Sequence, residues 1–141
     1  MPFTRFRVAT RASGIRRQVW VHVYENRAEM HQAHYRALEK PYNPDDDVAG
    51  GVVFTGGWRW PKPANGHPVV TMRLWTGQLT TRTIAHEATH AACALYAADV
   101  MPGWDSRQRA LVLGDNEALA YLIGDISAEV IAGLYRLKFL A

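Results

Sequence analysis

The sequence has one cysteine, Cys93, among 141 residues, so no internal disulfide can form. Its N-terminal stretch lacks the apolar run of a secretory signal, and both absences place the expected setting in the cytoplasm. Charge-free stretches such as 89–98 and 118–124 fall short of the roughly 20 apolar residues that cross a bilayer, so no membrane role is expected. A formal net charge of +3 with 21% charged residues is too small for wholesale phosphate neutralisation, which argues against a dedicated nucleic-acid coat. The acid triplet Asp45-Asp46-Asp47 lacks the further oxygen ligands of a calcium loop and reads as a solvated turn. Internal repeats and low-complexity tracts are absent. The chain does have a hydrophobic content of 48%, enough for a single globular domain over residues 1–141.

Charge is uneven. The first 24 residues hold five arginines and no acid, giving +5, so the remaining 117 carry −2. A nucleic-acid arm, a transit segment and the wet face of a β-hairpin all fit that composition, and the alternation favours the hairpin. Phe6 and Val8 share one face opposite Arg5, Arg7 and Ala9, while Val19, Val21 and Val23 alternate with Trp20, His22 and Tyr24. Ala12-Ser13-Gly14 supplies the turn. Residues 26–40 then read as an amphipathic helix with Met30, Ala33, Ala37 and Leu38 inward, ended with help from Pro41. Residues 52–60 and 68–75 read as strands, 80/81–99 as a helix capped by Thr80 or Thr81, and 114–138 as a long apolar helix. The order β-β-α-β-β-α-α is an α+β fold, a small, mostly antiparallel sheet packed against two C-terminal helices.

The residues that carry chemistry are His86-Glu87-Ala88-Thr89-His90, an H-E-x-x-H sequence inside the predicted helix. Positions i and i+4 lie one turn apart on one face, so both imidazoles can address a single metal ion, and Glu87 is offset toward a water held there. A catalytic zinc commonly has three protein ligands and one open position. No His follows His90, which leaves Asp99, Asp105, Asp115, Glu117 and Asp125 as candidates. The metzincin pattern needs Gly at 93 and His or Asp at 96, whereas this chain has Cys93 and Tyr96. Glu117, in the first turn of the next helix, is the favoured third ligand. Cys93 reads as a small buried residue, and His22, His31, His34 and His67 as structural or exposed.

His86-Glu87-Ala88-Thr89-His90-Ala91 followed by Asn116-Glu117-Ala118, with Gly124 beyond, resembles the two signatures of the gluzincins, the thermolysin-like zinc metallopeptidases. Size and element order are most similar to the minigluzincins and the phage-associated ImmA/IrrE-type peptidases. The resemblance implies a zincin-like fold, one Zn2+ per chain on His86, His90 and Glu117, and Glu87 as general base. Such enzymes usually place an Asp four residues after the ligand Glu, where this chain has Tyr121. Asp125 on the same helix face, or a backbone carbonyl, is then the candidate to orient a zinc-binding His, and the Tyr121 phenol is a candidate donor to a developing oxyanion.

The expected activity is hydrolysis of a peptide or protein substrate by a metal-activated water. Substrate would lie along an exposed sheet edge supplied by 52–60 or 68–75, with Trp58, Trp60, Trp75 and Trp104 as candidate apolar contacts. Two rival expectations remain: an inactive zinc-binding regulatory or interaction domain, and a nucleic-acid-associated regulator using the basic hairpin. The apolar C-terminus, including Leu134, Tyr135, Leu137, Phe139 and Leu140, suits either its own sheet or a second chain, so the oligomeric state stays open.

Overall fold

The alternation seen in the first strands sets the architecture. In the computed structural model, which describes residues 3–46, 50–55, 69–101 and 117–141, with the side chains of Phe54, Thr55 and Glu117 outside that description, β1 (Phe3–Thr10) and β2 (Arg17–Tyr24) form the expected antiparallel hairpin. Phe6, Val8, Val19, Val21 and Val23 all point to one buried face. The turn closes through the Gly14 amide donating to the Arg11 carbonyl at 2.9 Å, with Gly14 at φ 95°, a value a Cβ would strain.

Two further strands complete a four-stranded sheet in the order β1-β2-β4-β3. β3 (Gly50–Thr55) pairs antiparallel with β4 (Val69–Trp75), and β4 pairs parallel with β2. The sheet is therefore mixed, two antiparallel pairings and one parallel. The parallel step exists because α1 (Arg27–Ala37) and β3 both lie between β2 and β4 in the chain, giving the crossover length that parallel neighbours require. β4 is paired on both sides, so of the two segments expected to offer an edge only β3 does.

Asn26 caps α1, its side chain accepting from the Glu29 amide at 3.1 Å. The helix ends short of Pro41, where Glu39 takes a positive φ of 55°. Met30 and Ala33 pack with Tyr24 and Trp75 on the outer face of the sheet, which takes Trp75 away from its expected place near the H-E-x-x-H helix. In the 43–46 turn Asn43 accepts from the Asp45 amide and donates to the Asp46 carboxylate, the solvated turn expected there; Asp47 lies outside the described residues.

The inner face is covered by α2 (Thr81–Asp99) and α3 (Glu117–Arg136), which pack on each other. Thr80 is the N-cap of α2, its hydroxyl accepting from the Thr83 amide at 3.1 Å. Ala88, Ala91 and Ala92 are fully buried, so α2 lies close against its neighbours. By length and composition Ala118–Arg136 is apolar enough to cross a membrane, a span the count of charge-free runs did not reveal. Asp125 and Glu129 lie near its middle, and an Asp at the centre of a helix in lipid costs about 2.5–3.5 kcal/mol. Here Leu122, Ile126, Val130 and Leu134 are buried in the core, with Phe139 and Leu140 packed against it.

Two polar anchors set α2 and α3 along the sheet. Asp99, in the last turn of α2, meets Arg17 at 2.6 Å and accepts from the Ser13 hydroxyl at 2.5 Å, with its side chain 1% exposed. Asp125 of α3 accepts from the Thr10 hydroxyl at 2.9 Å. Asp99→Ala removes a buried carboxylate from the Arg17 guanidinium and is expected to cost about 3–5 kcal/mol, read as a lowered urea midpoint. Asp125→Ala, which takes an exposed acceptor from the buried Thr10 hydroxyl, should cost only about 1 kcal/mol.

Candidate functional site

α2 runs antiparallel to β2 and β4, from Glu87 beside Gly50 to Asp99 beside Arg17. Its 3.6-residue period then turns Thr83, His86, Glu87, His90, Cys93 and Ala97 toward the β3 side, where they line an open cleft of about 1250 Å³. The opposite wall is Gly50, Gly51 and Val52 of β3, with His34 of α1 at the rim.

His86 and His90 converge: their Nε2 atoms are 3.2 Å apart and their rings are nearly perpendicular at 79°. Two nitrogens each about 2.0–2.1 Å from a tetrahedral zinc lie about 3.3 Å apart, so the pair has the spacing of two ligands on one ion. The same spacing lets one ring donate to the other when no ion is present. His86 Nε2 is also 4.0 Å from Glu87 Oε1. These three side chains are brought together as the sequence predicts.

Glu87 is the buried member, 5% exposed, while both imidazoles face the cleft. Its carboxylate lies against Gly50. A Cβ there would stand 3.1 Å from Glu87 Cγ, 3.2 Å from Oε1 and 3.0 Å from the Arg73 carbonyl, so glycine is what admits the acid. Desolvation raises the Glu87 pKa above its ordinary value, and the neighbouring His86 pulls it partly back. A carboxyl poised to hold a proton beside two imidazoles is suited to proton transfer.

The remaining candidates lie elsewhere. Asp99 is committed to Arg17 and Ser13, and Asp105, Asp115, His67, Trp58, Trp60 and Trp104 lie outside the described residues. Asp125 faces the hairpin through Thr10 and not the imidazoles, and Tyr121 is 63% exposed; neither lines the cleft. The Glu117 side chain lies outside the described residues. The body of α3 packs under β1, whereas the cleft opens on the β3 side of α2. Among the described residues no three His, Cys, Asp or Glu side chains group around one metal position.

Two cleft residues were not anticipated. Cys93, seven residues past His86 and so almost on the ligand face, reads in the sequence as a small buried residue, yet it is exposed and lines the cleft. His34, on a helix some fifty residues upstream, reaches the rim because Gly51 leaves room for its ring, and only the tertiary fold carries that signal. No protein-family profile, curated protein or solved structure matches this chain.

Two outcomes follow from the Glu87 environment. A carboxyl with a raised folded pKa adds stability below its ordinary value of 4.5 and loses it as pH rises through the folded value. Metal-free Glu87→Gln should therefore melt above metal-free wild type at pH 8 and level with it near pH 4, measured by circular dichroism. Gly50→Ala crowds the same carboxylate and a fixed carbonyl, and should cost about 1–3 kcal/mol in a urea titration.

Proposed function

We propose that the chain is a zinc-dependent peptidase. The observation that carries this reading is the convergence of His86 and His90 Nε2 at 3.2 Å beside the buried Glu87, in a cleft walled by β3, the edge strand among the described residues. The two imidazoles fit one metal ion; the third ligand, Glu117, rests on the spacing of the sequence signature, and the gluzincin assignment rests with it. When bound, zinc supplies a Lewis acid that polarises a carbonyl and brings the pKa of a ligated water to about 7.

The protein's own groups do the rest. Glu87 takes the proton of the attacking water and hands it to the leaving amine nitrogen, acting as base and then as acid. Its burial in a water-poor corner against Gly50 keeps the carboxyl oriented toward the imidazoles. The edge of β3, unpaired among the described residues, offers amides and carbonyls to an extended peptide or protein substrate lying in the cleft. A cytoplasmic setting, and a role in a phage or other mobile element, belong to the same proposal.

A zinc-binding regulatory domain without turnover is the second reading. It is favoured by the placement of α3 on the flank of α2 away from the cleft, with Tyr121 turned to solvent.

Metal content by mass spectrometry, paired with a peptide-library digest, separates the readings. The peptidase reading expects one zinc per chain, lost in His90→Ala and in Glu117→Ala, and hydrolysis that drops by about 10²–10⁴-fold in Glu87→Gln with zinc retained. Zinc without any cleavage favours the regulatory reading. No zinc even after supplementation overturns both.

A further inference from the structure

None of the four strands contains an aspartate or a glutamate. On the outer sheet face, away from α2 and α3, the register aligns Arg5 of β1 with His22 of β2 and His22 with Arg73 of β4, one row across three strands. Arg7 stands one outward position along, opposite Trp20. Both arginines stack on that indole, their guanidinium carbons 5.3 and 5.0 Å from the ring centroid. A stacked guanidinium spends its π face on the ring and keeps its in-plane N–H donors free, the edge that pairs with a phosphate.

Neither Arg5 nor Arg7 meets a carboxylate among the described residues, and Arg73 keeps Nε and Nη1 buried without an acceptor. Phe3 adds a ring that is 38% exposed and stacks on His22 at 4.6 Å. Burial, then Arg73 and Arg5, lower the His22 pKa to about 4, so at neutral pH the row carries its charge on arginine alone. α1 covers the β3 and β4 side of this face and reaches the Tyr24 end of β2, while Phe3, Arg5 and Arg7 of β1 stay exposed.

We propose that the β1–β2 face, exposed at Phe3, Arg5 and Arg7, binds single-stranded nucleic acid, with Arg5 and Arg7, held on the Trp20 indole, on phosphates and a base stacked on the Phe3 ring. Charge alone would suit an acidic peptide equally well. The aromatic surface decides between them, because a ring face carries negative quadrupole density that repels carboxylates, whereas every base presents a π face to stack on it. A duplex hides those base faces and gains only the arginine contacts. This surface lies across the sheet from the His86–His90 cleft, so the proposal stands independently of the metal reading.

The test is fluorescence anisotropy of fluorescein-labelled dT20 with the full chain, titrated from 50 to 300 mM salt. Wild type is expected to bind at 50 mM salt. The Arg5→Ala/Arg7→Ala double variant should bind at least tenfold more weakly, with its log–log salt slope shallower by about 1.4, two phosphates at roughly 0.7 each. Phe3→Leu should weaken binding severalfold with the slope unchanged, while Arg136→Ala, an exposed cation on α3, should match wild type. Thermal melts of each variant separate lost binding from lost fold. The proposal is overturned by absent wild-type binding at 50 mM salt, by an equal loss in Arg136→Ala, or by a polyaspartate 20-mer that displaces dT20 as well as unlabelled dT20 does; the last result assigns the face to an acidic protein.

Discussion

The buried contact of Asp99 with Arg17 and Ser13 fixes where α2 sits along the sheet. An acid in the last turn of a helix opposes the helix dipole, so Asp99 contributes nothing locally and its stabilisation comes from the hairpin. Because Arg17 opens β2 and Ser13 belongs to the preceding turn, the contact ties the end of α2 to the hairpin end of the sheet. Twelve residues earlier, about 18 Å along the axis, Glu87 arrives beside Gly50. The cleft is thus placed by a contact at the other end of the same helix.

That dependence shows what was legible in the sequence. Features that a single element settles for itself could be read: the alternation of β1 and β2, the Thr80 cap, and the i, i+4 convergence of His86 and His90. Features settled by a partner far away in the chain could not. Asp125 shares a helix face with Glu117, yet Thr10 of β1 claims its carboxylate. Cys93 is almost on the ligand face by spacing and a buried residue by type, and the fold exposes the thiol to the cleft. Residues 52–60 and 68–75 are by sequence equally fit to be the edge, and the parallel partner that makes β4 central lies some fifty residues upstream.

The two flanks of α2 have different chemistry. One flank and the inward face carry alanines that admit the sheet and α3; the other carries imidazoles, a carboxyl and a thiol against a strand edge. Small residues on the packed flank let the helix approach closely, and the glycines of β3 do the same on the cleft side, where Gly50 admits Glu87 and Gly51 admits His34. A cation-rich outer sheet face and a cleft lined by imidazoles and a buried carboxyl therefore lie on one sheet without sharing residues.

The parallel pairing of β2 with β4 also bears on how the molecule assembles. α1 and β3 are inserted between those two central strands, so the sheet cannot close until a long loop has been brought back on itself. The entropy of that closure precedes any reward from the pairing, the kind of long-range contact that slows folding. β3 joins the sheet through β4 and packs against α1 and α2, so the strand edge beside the imidazoles depends on contacts far apart in the chain.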